Sequence, residues 1–146
     1  MLSDDIDNVY SIEIAGHRSP WTREILRDCV LVNYDCRVIE LDGDAERVIA
    51  GYIICRYDAS SCHILNLCIT PLLQGNNYGQ LLLQNVIDFP KHSPIDTLYL
   101  EVRPSNSAAM HLYKKMGFLQ TGTKIAYYQE EEGVEDAVVL QKKIIP

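Results

Sequence analysis

Residues 100–118 read Leu100-Glu101-Val102-Arg103-Pro104-Ser105-Asn106-Ser107-Ala108-Ala109-Met110-His111-Leu112-Tyr113-Lys114-Lys115-Met116-Gly117-Phe118. The first part, with Leu98 and Tyr99 before it, alternates. Leu98, Leu100 and Val102 face one way, and Tyr99, Glu101 and Arg103 face the other, as successive side chains of a strand do. After Pro104-Ser105, Asn106 suits the cap of a helix. Ala109, Leu112, Tyr113 and Met116 then recur at helical spacing, which puts Tyr113 on the buried stripe. Gly117-Phe118 breaks the helix. A strand over Thr97–Arg103 therefore leads into a helix that ends near Met116.

Upstream, Ser61 to Thr70 reads as a strand that Pro71 ends. Gln74-Gly75-Asn76-Asn77-Tyr78-Gly79 is a polar loop, and a helix follows from about Gly79 to Phe89, stopped at Pro90. Strand, helix, strand and helix in succession require parallel pairing with a right-handed crossover. Before them, Arg37–Leu41, the turn Asp42-Gly43-Asp44, and Val48–Tyr57 predict an antiparallel meander with Ser61–Thr70. The chain opens with two helices. Ile6, Val9, Tyr10 and Ile14 mark the first, with Ser3 or Asp4 as its cap. Ile25, Leu26, Cys29 and Val30 mark the second, with Pro20 at its first position. Two last strands are expected around Thr121–Tyr128 and Ala137–Ile144. The sum is an α/β (mixed α+β) sheet, antiparallel first, with helical crossovers in its middle.

The chain has 146 residues and a 47% apolar fraction, which fits one globular domain over residues 1–146. Thirteen Lys+Arg against twenty Asp+Glu give a formal net charge of −7. That argues against direct nucleic-acid binding, because phosphate backbones need a basic face. It suits a basic partner or plain solubility. Cys29, Cys36, Cys55, Cys62 and Cys68 form no C-x-x-C pair and no zinc spacing, so no metal is expected. They read as reduced core residues of a cytoplasmic protein. The opening Met1-Leu2-Ser3-Asp4-Asp5 has no signal-peptide character, and no apolar run reaches the length of a membrane span.

Two clusters carry chemistry. The segment Leu67-Cys68-Ile69-Thr70-Pro71, the loop from Gln74 to Gly79 and Leu81-Leu82-Leu83 place a loop with special backbone conformations at a helix start. Backbone N–H groups and the helix dipole there suit a pyrophosphate, although a plain strand-to-helix turn has the same pattern. Glu101 in mid-strand is either a solvated or ion-paired residue, with Arg103 as one partner, or a partly buried carboxylate of raised pKa that takes a proton. Tyr113 is either a core tyrosine or a functional hydroxyl that needs a partner when buried.

Taken together these segments resemble the GNAT superfamily of N-acetyltransferases, and within it the RimI group of ribosomal-protein alanine N-acetyltransferases. The match spans nearly the whole chain. It rests on Pro20-Trp21, Ile69-Thr70-Pro71, Gln74, Gly79, the block from Leu100 to Phe118, Tyr127-Tyr128 and Glu135-Asp136-Ala137. The resemblance implies the GNAT fold, a mixed antiparallel and parallel central sheet with helices on both faces. It implies acetyl-CoA as co-substrate. Leu67, Cys68 and Ile69 would pair their backbone with the pantetheine arm. The amides of Gly75, Asn76, Asn77, Tyr78, Gly79 and Gln80 would hold the pyrophosphate, and Asn106 would contact the cofactor. Glu101 would be the proton acceptor and Tyr113 the proton donor.

Two positions depart from the family. Gly75 stands where a basic residue is usual, and Asn77 where a glycine is usual. The family's first strand has only Met1 and Leu2 here. The acceptor that the resemblance implies is the N-terminal alanine of a small-subunit ribosomal protein, on a basic tail. Glu130, Glu131, Glu132, Glu135 and Asp136, in an expected loop from Gln129 to Asp136, would steer that tail or form a solvated hairpin tip without a role. A lysine side chain or a small-molecule amine is the alternative acceptor. A non-catalytic CoA-binding adaptor is the alternative of another class.

Overall fold

The computed structural model describes residues 1–43, 46–89, 94–130 and 133–144. Among the described residues four α-helices and six strands follow in the order α1 (Ile6–Gly16), α2 (Arg23–Leu31), β1 (Asp35–Leu41), β2 (Val48–Tyr57), β3 (Ser61–Ile69), α3 (Tyr78–Asp88), β4 (Thr97–Val102), α4 (Ser107–Lys115), β5 (Leu119–Glu130) and β6 (Gly133–Lys143). The strands form one mixed sheet in the order β1-β2-β3-β4-β6-β5. The chain divides into two compact units, Met1–Arg56 with Leu65–Lys91, and Tyr57–Ile64 with His92–Pro146.

In the first unit β1 and β2 run antiparallel, with Cys36 opposite Ile54 and Ile39 opposite Gly51. The core joins Val9 and Ile12 of α1, Leu26 and Cys29 of α2, and Ile49, Tyr52 and Ile54 of β2. Each such side chain contributes about 1.5–3 kcal/mol when fully buried. The buried stripe of α1 is Ile6, Val9, Ile12 and Glu13, while Ile14 is half exposed, so the stripe is rotated from the one expected. Glu13 explains the rotation. Its carboxylate accepts from the Tyr52 hydroxyl, from Asn66 Nδ2 at 2.8 Å and from the Trp21 backbone N–H at 2.9 Å. A buried carboxylate with that many donors is satisfied, and burial, then the Glu13 charge, raise the pKa of Tyr52.

Two caps differ from expectation. Neither Ser3 nor Asp4 caps the first helix. Asp5 holds the N-cap position without a side-chain bond to α1; its carboxylate instead accepts from the Leu2 N–H at 2.7 Å, closing the short 3-10 turn Ser3–Asp5, and pairs with Arg47. Pro20 is not the first residue of α2. Thr22 Oγ1 accepts from the Ile25 N–H at 3.2 Å, which starts the helix at Arg23 and leaves Pro20-Trp21 as the link tied to Glu13. No strand precedes α1 among the described residues. Asp44 and Pro90, expected in a turn and at a helix stop, lie outside the described residues.

In the second unit β3 and β4 pair in parallel, Ser61 with Thr97, Cys62 with Leu98 and His63 with Tyr99. β4 and β6 pair antiparallel. Leu98, Leu100 and Val102 are buried, as the alternation requires. Asn106 caps α4 through Oδ1, which accepts from the Ala109 N–H at 3.1 Å. The expected acidic loop is instead mostly strand. β5 continues to Glu130 and β6 begins at Gly133, and these two residues pair in the ladder. All five cysteines carry unbridged thiols. Among the described residues no helix is long and apolar enough to cross a membrane.

Candidate functional site

The loop after β3 is shaped by its own side chains. Gln74 Nε2 donates to the Ile69 carbonyl at 3.2 Å, and Asn76 Nδ2 donates to the Leu73 carbonyl at 3.0 Å. Gly75 takes φ +84° and Asn77 φ +64°, both in the left-handed region that glycine enters freely and asparagine tolerates. Asn77 is the N-cap residue of α3, with no side-chain cap bond. The first N–H groups of α3, from Tyr78 to Gln80, have no intrahelical acceptor, as at every helix start. Space around Gly75 is open, since a Cβ there would meet nothing within 4 Å. This is a fit for a phosphate group held by backbone amides. The Cys68 thiol is buried, and burial, then Glu13, push its pKa up to about 12. It is therefore no nucleophile near neutral pH.

Asn77→Gly should stabilise the loop slightly, because glycine takes the left-handed conformation without a Cβ penalty. Calorimetry should give an acetyl-CoA affinity equal to or better than wild type. A severalfold weaker affinity would show that the Asn77 side chain itself contributes to binding.

In the second unit Glu101 sits at a junction of three strands. His63 Nε2 lies 2.6 Å from Oε2, and Lys124 Nζ donates to Oε1 at 2.7 Å. His63 in turn stacks on Tyr99, with ring centroids 4.4 Å apart. The His63 hydrogen bond is the largest influence on the carboxylate. With the Lys124 bond it outweighs burial and holds the Glu101 pKa down at about 2. The expectation of a raised pKa is thus overturned. Partial burial does raise it, but two donors that favour the anion win. Glu101 is paired, and its partners are His63 and Lys124.

Arg103 turns to the hairpin. It pairs with Glu130 and Glu135, and its guanidinium lies 4.1 Å from the centroid of the Tyr128 ring. Glu135 also accepts from the Ser105 N–H and hydroxyl, each at 2.9 Å. Asp136 accepts from the Ala126 N–H at 2.7 Å. That bond supports a bulge in β5, where the register shifts between Lys124 and Tyr128 and Ala126 takes φ +50°. Such bulges re-aim side chains, and Ile125 and Tyr127 here are exposed. Glu130, Glu135 and Asp136 are therefore engaged by donors of their own chain, while Glu131 and Glu132 lie outside the described residues. Tyr113 is buried on α4, edge-on to Phe118 at 5.5 Å between centroids.

The sequence reading missed His63 and Lys124 as partners of Glu101. One signal was available for His63. It lies on the half-buried face of β3, as Glu101 does on β4, and parallel neighbours present such positions on one side.

A sequence model of the Acetyltransferase (GNAT) family matches residues 6–118. The [ribosomal protein bS18]-alanine N-acetyltransferase of Haemophilus influenzae is 35% identical over 137 residues, covering 93% of this chain and 90% of that protein. The putative enzyme of the same name from Bacillus subtilis is 32% identical, covering 96% of this chain and 90% of that protein. The crystal structure of the ribosomal-protein-S18-alanine N-acetyltransferase from Escherichia coli superposes with a TM-score of 0.86 at 27% identity, over 100% of this chain and 92% of that one. The alternation around Glu101, the capped α4 and the loop before α3 thus stand in a chain matched almost end to end. It belongs to the acetyltransferase (GNAT) family and is an acetyl-CoA-dependent N-acetyltransferase.

Proposed function

We propose that this enzyme, one catalytic domain over residues 1–146, acetylates the N-terminal α-amine of a protein in the cytoplasm. The favoured acceptor is the alanine of ribosomal protein bS18. The observation that carries this is the near full-length likeness to the bS18-alanine enzymes. The structure revises how a basic tail would be steered. Glu130 and Glu135 share the one Arg103 and Asp136 holds a neutral backbone N–H, so the hairpin keeps net negative charge, which with the chain's −7 supports a long-range, salt-sensitive attraction rather than direct pairing.

In the proposed chemistry the backbone of Leu67, Cys68 and Ile69 pairs with the pantetheine arm. The amides of Gly75, Asn76, Asn77, Tyr78, Gly79 and Gln80 hold the pyrophosphate. Asn106 also contacts the cofactor; its Oδ1 caps α4, so this contact falls to Nδ2. Glu101 first attracts the acceptor ammonium. It does not remove the first proton. An α-amine has a pKa of about 8, and the donors on Glu101 hold its carboxyl well below that, so direct transfer from the ammonium is uphill. Loss of that proton to solvent costs far less, since about a tenth of such an amine is neutral at pH 7. The neutral nitrogen attacks the thioester carbon, and a backbone N–H near Ile69 stabilises the oxyanion. Nitrogen becomes cationic and strongly acidic as the C–N bond forms, and Glu101 takes the proton at that stage. The C–S bond then breaks, and Tyr113 gives its proton to the CoA thiolate.

Competition between two matched peptides tests the acceptor. One starts with a free alanine and carries downstream arginines. The other has a blocked α-amine and an internal lysine. CoA release should favour the first by at least about tenfold, as the lower pKa of an α-amine leaves more of it neutral. Preference for the second would move the assignment to lysine side chains, and activity on polyamines alone to small-molecule amines.

A further inference from the structure

The geometry around Glu101 assigns its two oxygens different duties: His63 fixes Oε2 throughout, and Lys124 covers Oε1 only until the ammonium of the acceptor takes its place. This rests on the proposed role of Glu101 and adds two residues that the proposed chemistry does not use.

The two partners differ in how firmly they are held. The His63 side chain is 12% exposed and that of Glu101 8%. His63 is stacked on Tyr99, directly opposite it in the parallel register. An imidazole confined by a ring face and by strand pairing has little freedom to leave. Lys124 is 48% exposed and stands where the register of β5 breaks. Its stem has four rotatable bonds, so release regains conformational entropy.

Exchange of one ammonium for another suits this site. A half-buried carboxylate left bare loses favourable interactions that water does not fully replace. An acceptor that arrives as an ammonium replaces Lys124 like for like, and Glu101 is never uncovered. The displaced lysine has a nearby resting place, because the Tyr127 ring centroid lies 5.1 Å from Nζ and attracts a cation. An acceptor that arrives uncharged gains nothing from Glu101 and does not displace Lys124. The site therefore selects cationic amines at the capture step. The fixed His63 bond keeps the carboxylate aimed while its other oxygen changes partners.

The test uses the full chain with an alanine-initiated peptide as acceptor. Lys124→Met keeps the stem and removes the competing charge. It should lower the peptide KM by about two- to fivefold and leave kcat within about twofold, in line with the modest strength of exposed ion pairs. Lys124→Arg, which keeps the charge, should stay near the wild-type KM. His63→Leu should lower kcat by about tenfold, and His63→Gln, which keeps a donor, should restore part of it. A Lys124→Met KM equal to or above wild type would overturn the exchange. So would a kcat loss beyond tenfold in that variant, which would make Lys124 part of the transfer step. Equal kcat in His63→Leu would overturn the fixed role of His63. A second readout needs no turnover. With CoA bound, the ε-methylene carbon resonance of Lys124 should shift on adding the peptide but not its N-acetylated form. No shift at saturating peptide would overturn the exchange even in an active enzyme. Failure of the broader reading shows differently, as no CoA release from wild type with any amine.

Discussion

Glu101→Gln should lower kcat at pH 7 by about 100-fold or more, the scale of a positioned proton acceptor, while the Kd for acetyl-CoA stays within about twofold. The amide keeps the shape and volume of the carboxyl. It loses the negative charge that would attract the ammonium and receive the proton. The variant also carries a pH signature. His63, and after it Lys124, hold the folded-state pKa of Glu101 at about 2, below its ordinary value of 4.5. A carboxylate whose folded pKa is depressed stabilises the protein above its unfolded pKa. That contribution is lost as pH falls through the folded value. Denaturant melts of wild type and variant should therefore differ by a constant amount from pH 7 down to about 5. They should converge between pH 4.5 and 2. Steady-state kinetics checks the first part. A variant within threefold of wild-type kcat would remove Glu101 from the proton path. A stability difference that stays constant down to pH 2 would mean that His63 and Lys124 do not favour its ionised form.

Gly51→Ala should cost about 2–3 kcal/mol of stability, at the high end for overpacking, and lower Tm by roughly 5–10 °C in a domain of this size. A Cβ built at position 51 stands 2.5 Å from the Cys68 carbonyl oxygen and 3.1 Å from Ile69 Cα, and it also meets Ile69 Cδ1. Two of those three atoms are backbone, so no rotamer change relieves the contact. The Thr70 N–H donates to the Ala50 carbonyl at 2.8 Å, which ties the end of β3 to the same stretch of β2. Relief of the clash must move Leu67–Ile69, the segment proposed to align the thioester. Activity should therefore fall further than the melting temperature explains at 25 °C. Thermal unfolding and kcat/KM measured on one preparation check both effects. A Tm within 2 °C of wild type would show that β2 and β3 can part here at little cost.

Much of this protein is legible without its coordinates. The period-two alternation from Leu98 to Val102 marks β4, and a buried apolar face allows a strand only one phase. The Asn106 cap and the spacing of Ala109, Leu112, Tyr113 and Met116 mark α4, because caps and stripes are local properties of the chain. Asn77 and Gly75 announce a loop with left-handed backbone for the same reason. The acidic cluster is just as visible as composition, but its pairing with Arg103, Ser105 and Ala126 is not.

Tertiary structure decided what depends on residues distant in sequence. Whether Glu101 is raised or depressed in pKa turns on His63, 38 residues away, and on Lys124, 23 residues away. A carboxylate's pKa is set by whichever of desolvation and donated hydrogen bonds is larger, and a sequence gives neither magnitude. The phase of α1 departs from the spacing of Ile6, Val9, Tyr10 and Ile14 because Glu13 turns inward, where Tyr52, Asn66 and Trp21 meet its oxygens. The chain by itself determined the order of its elements, the family and the left-handed backbone of the loop before α3, since these rest on local pattern. The charge state of Glu101 and the inward turn of Glu13 belong to the register of the sheet and the packing of the helices, which bring together groups that no local pattern relates.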